Sequence, residues 1–394
     1  MKEGWEYKKL KDIATFTRGL TYSKNDEAEI SDNIVLRSNN VDLSTGKLNF
    51  DELKYLKPEF LIPEEKKVKK GSLLMCMSNG SKIHLGKVAL INDDYPYAFG
   101  GFMALVTPNE ELNPQFFNYS LSSPEYKDFI KKLSEGANIN NIKVKELELF
   151  TIPVPPLSEQ QSIVDYLDSA FAKIDAMKAN AKKALNEAKA LFQASLKEML
   201  EPKEGWEEKY LKEIAQYSIG LTYKPTNVCN DGTIVLRSSN IQEGKLDLKD
   251  IVRVNANIKE DLYVRTGDIL MCSRNGSARL VGKVCIIPEI KEKMTYGTFM
   301  MIIRSAYNPL LYHYFDTGLF RNQIKHGEAN MINQITRYML DEVKLNLPPI
   351  TEQQSIVATL DSLKSKVDRL QENYEKISQE CDALKQAILR QIFE

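Results

Sequence analysis

Few features of this sequence support covalent or metal chemistry. Its five cysteines are odd in number, lie far apart and form no Cys-x-x-Cys pair, and only three histidines occur in 394 residues. We therefore expect neither a disulfide framework nor a zinc site. A reduced, cytoplasmic compartment is the default expectation for such a chain.

Long apolar segments are also lacking. No apolar run approaches 18 residues, so we expect no membrane span. The first residues, MKEGWEYKKLKD, contain no apolar stretch of the kind that a secretory signal needs. The 43% hydrophobic and 27% charged residues are typical of a globular protein. A length of 394 residues predicts two or more domains.

The sequence has no excess of charge of either sign. It contains 53 Lys and Arg residues against 54 Asp and Glu residues, a formal net charge of −1. Binding to a nucleic-acid backbone needs a positive surface, so the total charge argues mildly against a nucleic-acid partner. A neutral total can nevertheless include one basic face.

What the sequence does contain is an internal duplication. PPLSEQQSIVDYLD, residues 155–168, returns as PPITEQQSIVATLD, residues 348–361. Other pairs of matched segments follow the same order in both halves, and they begin at Glu3 and Glu204, Ile34 and Ile234, Met75 and Met271, Phe99 and Tyr296, and Asn113 and Asn308. Repeats of this kind are decisive for fold prediction. Each half is a globular part followed by a long polar tail.

The globular parts show mixed secondary-structure signals. Short apolar runs such as 73–77 and 102–106 alternate with Gly, Asn and Pro, as in strands joined by turns. Segments 114–133 and 309–324 are predicted to be helical. We predict two tandem mixed α/β domains, 1–156 and 201–349, each followed by a long helix, 157–200 and 350–394.

The start of each tail resembles a capping box. Ser158 or Thr351 would be the N-cap, with Gln161 or Gln354 three residues later, after prolines that keep the chain extended. We predict capping for both hydroxyl residues in place of any catalytic role.

Both tails carry an apolar repeat at alternating steps of four and three, the signature of a coiled-coil seam. The larger predicted seam residues are Ile163, Leu167, Ile174, Met177, Leu191, Ile356, Leu360, Leu363, Val367, Leu370, Tyr374, Ile377, Cys381, Leu384 and Ile388. The smaller ones, all in the first tail, are Ala170, Ala181, Ala184 and Ala188. Each helix of roughly 40 residues would be about 60 Å long.

Small residues in one tail leave room for larger ones in the other, so we favour pairing of the tails within the chain. A pseudo-twofold between the halves would make the helices antiparallel, with the globular parts at opposite ends of a rod. The alternatives are packing of each helix on its own globular part, or dimerisation with a second chain. Trp5 and Trp206, at equivalent domain entries, are predicted to pack against a helix end.

On these segments the chain resembles the specificity subunits of type I restriction-modification systems over essentially its whole length. The two PPxxEQQ helix starts, the MCMSNGS and MCSRNGS segments and the Asn-Pro dipeptides carry the resemblance. It implies a non-catalytic DNA-recognition subunit with two target-recognition domains. Each domain would read half of a bipartite site in double-stranded DNA, and the helices would set the unread gap.

The resemblance also implies partners and cofactors. Two methyltransferase subunits would dock on the chain and use S-adenosylmethionine. Restriction subunits would add an ATP- and Mg-dependent nuclease, and this chain would hold no cofactor itself. The residues agree, because neither an Asn/Asp-Pro-Pro-aromatic motif nor a glycine-rich cofactor loop is present. GSKIHLGK, residues 80–87, has one residue too many between its glycines for a phosphate-binding loop.

Base contacts favour polar and basic side chains on exposed loops. Three segments in each half offer them, after the first apolar strand, after the Met-Cys run and before the tail. The candidates in the first half are Arg37, Ser38, Asn39, Asn40, Asn79, Ser81, Lys82 and Lys143. The candidates in the second half are Arg237, Ser238, Ser239, Asn240, Arg274, Asn275, Ser277, Arg279, Thr336 and Arg337.

Each of these residues has a simpler explanation as a turn residue that bonds to its own backbone. The alternative for the whole chain is a non-catalytic coiled-coil adaptor whose domains bind protein. Salt dependence of DNA binding distinguishes the two functions, because phosphate neutralisation gives a steep negative slope.

Overall fold

The computed structural model describes residues 4–43, 45–135, 141–324 and 333–394. Its contacts divide the chain into two compact units. Unit 1 comprises Met1–Ala181 and Glu375–Glu394, and unit 2 comprises Lys182–Tyr374. Each unit therefore contains one globular part and a portion of both long helices.

Unit 1 begins with ten short strands and four helices. Its strands are β1 Glu6–Lys9, β2 Ala14–Arg18, β3 Glu27–Ala28, β4 Asn33–Leu36, β5 Lys54–Leu56, β6 Leu73–Cys76, β7 Val88–Leu90, β8 Ala98–Phe99, β9 Met103–Pro108 and β10 Thr151–Val154. Its short helices are α1 Leu10–Ile13, α2 Pro114–Ser120, α3 Pro124–Glu135 and α4 Val144–Leu147. The first long helix is α5, Leu157–Leu200.

Unit 2 repeats this order. Its strands are β11 Glu207–Tyr210, β12 Gln216–Ile219, β13 Val228–Cys229, β14 Thr233–Leu236, β15 Ile241–Gln242, β16 Lys245–Leu246, β17 Val252–Val254, β18 Ile269–Cys272, β19 Val284–Ile286, β20 Met294–Tyr296, β21 Met300–Arg304 and β22 Lys344–Leu347. Its helices are α6 Leu211–Ile214, α7 Asn308–Tyr314, α8 Gly318–Ile324, α9 Arg337–Asp341 and α10 Ile350–Phe393.

Two four-stranded sheets form the centre of each globular part. In unit 1 the antiparallel sheet has the order β2-β9-β6-β7, and a second sheet has the order β3-β5-β4-β8 with β4 and β8 parallel. Unit 2 has the equivalent sheets β12-β21-β18-β19 and β13-β17-β14-β20. Strands β1 and β10, and likewise β11 and β22, pair beside the start of each long helix. The mixed α/β fold predicted from the sequence is confirmed.

Alternation along the central strand explains the layers. In β6, Leu73 and Met75 belong to the core that contains the helices, whereas Leu74 and Cys76 belong to the core between the two sheets. Strand β18 divides its residues in the same way. The antiparallel sheet is therefore covered on both faces, which is why these strands read as continuous apolar runs.

The long helices pair within the chain and run antiparallel in each unit. In unit 1, the Lys385 ammonium lies 2.6 Å from the Asp175 carboxylate, and Lys178 lies 3.0 Å from Asp382. In unit 2, Lys189 donates to the Gln371 amide oxygen at 2.7 Å. Each helix also packs on the globular parts, since Val164 and Leu389 join the core of unit 1. The two long helices therefore pair with each other and also pack on the globular parts, so both of these predicted arrangements occur.

The predicted seam is displaced by one residue along parts of both helices. Leu167 and Ile174 are buried, but Met177 and Leu191 are 60% and 63% exposed, and the buried residues nearby are Leu185 and Phe192. In α10, Ile356, Leu360, Val367 and Cys381 are buried, whereas Leu370 and Leu384 face solvent. A straight α-helix drifts about 20° per heptad from a 3.5-residue repeat, so a fixed frame fails over 44 residues.

The capping prediction for Ser158 and Thr351 was wrong. Helices α5 and α10 begin at Leu157 and Ile350, so both hydroxyl residues lie inside the first turn. The preceding prolines supply the first helical carbonyl, with Gln160 N–H bonding to the Pro156 carbonyl at 3.0 Å. The glutamines of the EQQ motif have the anchoring role in place of the hydroxyls.

Gln160 is fully buried. Its amide donates to the carbonyls of Pro155 and Glu111, both at 2.8 Å, and accepts from Asn113 N–H at 2.8 Å. In unit 2, Gln353 donates to the Pro348 carbonyl at 2.7 Å. The repeated motif therefore fastens each long helix to the globular part that precedes it.

The two tryptophans bind the residue before these glutamines. The Trp5 indole N–H donates to Glu159 at 2.9 Å, and the Trp206 indole N–H donates to Glu352 at 3.0 Å. Both contacts lie in the first turn of a long helix, as the sequence predicted. Within the described residues, no helix is long and apolar enough to cross a bilayer.

The displaced seam can be tested with two leucines of α5. Leu185→Ala removes a side chain that is 4% exposed and should lower the free energy of unfolding by about 2–5 kcal/mol. Leu191→Ala, at a side chain 63% exposed, is the matched control and should change it by less than about 0.5 kcal/mol. Urea unfolding of the full chain measures both. A larger effect at Leu191 would restore the frame predicted from sequence.

Candidate nucleic-acid interface

Three loops that are distant in sequence meet in unit 1. The Asn79 amide donates to the Ser38 hydroxyl at 2.8 Å, which joins the loop after β6 to the loop after β4. Ile142 N–H donates to the Met77 carbonyl at 2.8 Å, which adds the segment before α4. We call these loops, 37–40, 78–84 and 141–143, the recognition edge of unit 1.

Unit 2 has the same arrangement. The Asn275 amide donates to the Ser238 hydroxyl at 3.1 Å, and Ile335 N–H donates to the Ser273 carbonyl at 2.7 Å. Loops 237–240, 273–280 and 334–337 form the recognition edge of unit 2. The structure thus brings together, in both halves, the three segments that the sequence selected.

A glycine contact fixes the position of these loops. A Cβ atom added to Gly19 would lie 2.0 Å from the Gly100 carbonyl oxygen, and one added to Gly220 would lie 2.3 Å from that of Gly297. Only glycine permits such close approach of two backbones. Gly100 N–H also bonds to the Leu36 carbonyl at 2.9 Å, directly before the first loop of the edge.

Asn40 and Asn240 are not available to DNA, contrary to the prediction. Both are 0% exposed. The Asn40 side chain accepts from Arg37 N–H at 2.8 Å and donates to the carbonyls of Asn49 and Glu52, both at 2.9 Å. Asn240 makes the equivalent bonds in unit 2. A buried amide that is hydrogen-bonded in this way closes the turn and is not available to contact a base.

Several other candidates are engaged within the fold. Asn79 and Asn275 each accept from the N–H two residues later, at 2.9 Å and 3.0 Å, and both are half-buried. Thr336 is the N-cap of α9 and accepts from Met339 N–H, so its hydroxyl has a structural role. Turn chemistry, the simpler explanation, accounts for these residues.

Some of the predicted cations are also bound to other groups within the fold. Lys82 donates to the Ser134 carbonyl at 3.0 Å, and Arg237 forms an ion pair with Asp250 at 2.9 Å. Arg37, Ser38, Ser238 and Ser239 are half-buried. The predicted residues that expose their side chains to solvent are Asn39, Ser81, Lys82, Lys143, Arg274, Ser277, Arg279 and Arg337.

The edge is locally basic although the chain is not. Residues 66–92 contain six lysines and no acidic residue, and residues 269–288 contain Arg274, Arg279 and Lys283 and no acidic residue. Several of these cations are structural. Lys66 donates to the Arg18 carbonyl at 2.9 Å, and Lys67 forms an ion pair with Glu64 at 2.7 Å. Lys87 and Lys283 donate to the carbonyls of Val41 and Ile241 at 2.7 Å, and burial lowers the pKa of Lys87. Of the cations in these two stretches, Lys82, Arg274 and Arg279 lie on the recognition edges, where they favour a polyanion.

Comparison with known proteins identifies the family. The model of the type I restriction modification DNA specificity domain matches residues 2–187 and again residues 203–379. The chain belongs to this family of DNA specificity subunits. The role of the family within the type I complex is recognition of DNA sequence, and the two matches correspond to the duplication.

Individual relatives agree with this assignment. The chain is 27% identical to the type I restriction enzyme EcoKI specificity subunit of Escherichia coli strain K12, over 100% of this chain and 89% of that protein. It is 25% identical to the StySPI specificity subunit of Salmonella potsdam, with the same coverage.

Two solved structures share the fold. One is a chain from work on complex assembly and conformational transition of the type I R-M system, with a TM-score of 0.77 and 19% identity, covering 99% of this chain and 97% of that one. The other is the HsdS subunit from Thermoanaerobacter tengcongensis, with a TM-score of 0.52 and 20% identity, covering 100% and 97%.

Sequence reasoning missed one aromatic residue in each specificity domain. Phe102 is 72% exposed and Phe299 is 53% exposed, and each follows the glycine turn at the recognition edge. Their segments were assigned to an apolar strand, which hid the outward orientation. The available signal was an aromatic residue repeated directly after Gly-Gly and Gly-Thr in the two halves.

Several titratable side chains are buried in the part of the chain that the structure describes. Burial raises the pKa values of the Cys76 and Cys272 thiols, and that of Cys285 to about 12, so these groups remain protonated and weakly nucleophilic. His313 is 2% exposed and bonds to Asp361 at 2.7 Å, between α7 and α10. Within the described ranges no group of His, Cys, Asp and Glu could hold a metal ion.

The glycine contact yields a prediction for stability. Gly19→Ala forces its new Cβ against backbone and should lower the free energy of unfolding by more than about 2 kcal/mol. Gly80→Ala is the control, because a Cβ there meets nothing within 4 Å. Thermal unfolding followed by circular dichroism compares the two variants. Equal melting temperatures would show that the loops do not depend on this contact.

Proposed function

We propose that each unit reads one half of a bipartite site in double-stranded DNA, while the paired helices α5 and α10 set the unread gap. The duplicated recognition edge carries this proposal. Both edges are built by the same hydrogen bonds, in a chain whose two halves each match the specificity-domain family. Two similar readers in one chain suit a target with two separated halves.

The exposed groups on the edges suit this task. Lys143 and Arg279 are cations on the edge loops, Arg337 is a cation at the start of α9, and Ser81 and Ser277 offer hydroxyls. Loops held by buried amides and glycines lose little conformational freedom on binding, which favours affinity. Both edges carry a cation after the shared Asn-Gly-Ser turn, Lys82 and Arg279, and this cation would position a phosphate. Groups that differ in chemical type between the edges would select bases.

The spacing role rests on the stiffness of the helices. Each helix has 44 residues without an internal Gly or Pro. Ion pairs join the two helices in unit 1, and a hydrogen bond and apolar contacts join them in unit 2. Half-sites about one turn of DNA apart, about 34 Å, can be read from one side only when the distance between readers is fixed.

The partners we propose are two methyltransferase subunits, with restriction subunits added in a nuclease complex. The helices carry apolar side chains that face solvent, including Tyr166, Met177 and Leu191 at 56–63% exposure. Such residues on a long polar helix support docking of another protein. Curated relatives are specificity subunits of type I restriction enzymes, which supports the same assembly.

The chemistry would then belong to the partners. S-adenosylmethionine would be used by the methyltransferase, and ATP with Mg by the restriction subunit. This chain would act in the cytoplasm as a non-catalytic subunit that chooses the sequence. The buried, protonated thiols of Cys76 and Cys272 are consistent with a recognition role.

Methylation mapping tests the proposal. The chain co-expressed with its methyltransferase should place methyl groups at a single motif with two specified halves and a constant gap. A complex that forms without any such motif would contradict the proposal. Binding of that complex to protein but not to DNA would favour the coiled-coil adaptor.

The cations should also show in salt dependence. Arg279→Ala should weaken DNA binding across sequences and reduce the slope of log K against log salt by about one, because one phosphate contact is lost. Lys197→Ala, an exposed cation on α5 outside the recognition edge, is the control and should leave the slope unchanged. Fluorescence anisotropy of the methyltransferase complex with a duplex, repeated over a salt series, gives both slopes. An unchanged slope in Arg279→Ala would remove this residue from the interface.

A further inference from the structure

The recognition edge of unit 2 contains an arginine stacked on an aromatic ring. The guanidinium carbon of Arg274 lies 5.4 Å from the centroid of the Phe299 ring. Both side chains are exposed, with Phe299 at 53%. A cation over a ring face is stabilised by the ring quadrupole and confined to a plane.

The backbone under this pair is fixed. Arg274 N–H and Ser273 N–H both donate to the Phe299 carbonyl, at 3.1 Å and 3.0 Å, and the Ser273 hydroxyl adds a third bond at 3.0 Å. Arg274 also pairs with Gln334 in a strand-like bridge. The arginine is therefore held at both its backbone and its guanidinium before any ligand arrives.

The positive charge of the Arg274 guanidinium remains available to a ligand. Some arginines of unit 2 are neutralised by carboxylates, with Arg253 bound to Glu292 and Arg304 to Asp268, each at 2.9 Å. Arg274 forms no ion pair with any residue in the described ranges. The acid-free stretch 269–288 around it offers no carboxylate from its own loop.

We propose that Arg274, supported by Phe299, reads a guanine in the major groove of the half-site bound by unit 2. This inference depends on the proposed DNA-reading function. A phenyl ring against one face of the guanidinium would leave the N–H groups at its edge free to bind a ligand as a planar fork. That fork matches the O6 and N7 acceptors of guanine, which is the commonest specific arginine contact.

Unit 1 provides an internal contrast. Phe102 occupies the equivalent position, and its carbonyl accepts from Met77 N–H at 2.9 Å and from Ser78 N–H at 3.1 Å. Ser78 occupies the position in unit 1 that corresponds to Arg274 in unit 2. The half-site bound by unit 1 therefore lacks an arginine contact to guanine at the corresponding position.

Selection from a pool of random duplex DNA by the complex with the methyltransferase tests this inference. Arg274→Lys keeps the charge and removes the fork, so it should reduce preference for one guanine in one half-site by about tenfold or more. Phe299→Ala should weaken the preference at the same position. Phe102→Ala is the matched control and should leave that position unchanged.

The possible results distinguish failure of the guanine assignment from failure of the proposed DNA-reading function. If Arg274→Lys and Phe299→Ala select the wild-type motif, or if Arg274→Ala weakens all sequences equally as a phosphate contact would, the guanine assignment is wrong. If the wild-type complex selects no bipartite motif, the proposed function itself fails. Melting curves of each variant, with Phe299→Leu as a second apolar replacement, exclude loss of folding as the cause.

Discussion

The approach of two glycine backbones is the constraint on which both recognition edges depend. In unit 1, Gly19 directly after β2 lies against Gly100 directly after β8. In unit 2, Gly220 after β12 and Gly297 after β20 make the equivalent contact, so each pair joins the two sheets of its unit. Gly100 N–H donates to the Leu36 carbonyl at the end of β4, and the Phe102 carbonyl accepts from the N–H groups of Met77 and Ser78 after β6. A contact between backbones thus positions the loops whose side chains face outward. Buried amides such as Asn40 and Asn240 complete the frame, and they have no atoms to spare for a ligand.

The second constraint is the attachment of the long helices. The EQQ motif joins three elements in a few residues, because Glu159 binds the entry tryptophan, Gln160 binds the preceding loop, and Gln161 accepts from the Asn113 amide at 2.8 Å. A helix fastened in this way cannot rotate freely against its globular part. Fixed attachment at the start of both helices is what a device that measures distance requires.

Much of the fold could be predicted from sequence, because duplication and periodicity are properties of the chain itself. The two long helices and the mixed α/β domains followed from repeated segments. The loops of each edge were selected from the sequence, but their meeting in space is visible only in the structure. The errors arose where one residue decides the outcome. A heptad frame cannot reveal a one-residue displacement. A capping pattern cannot show that the carbonyl of the preceding proline already accepts the first helical hydrogen bond. Asn40 is polar but buried, whereas Phe102 is apolar but exposed. Burial depends on tertiary packing, so a selection by polarity alone chose Asn40 and missed Phe102.

The central claim is that the paired helices determine the distance between two DNA readers. Insertion of one heptad after Ala181 in α5 and another after Tyr374 in α10 lengthens both helices by about 10 Å while nearly preserving their phase. Methylation mapping of the complex with its methyltransferase should then show the same two half-sites separated by a gap longer by about two or three base pairs. An unchanged gap in an active complex would contradict the account.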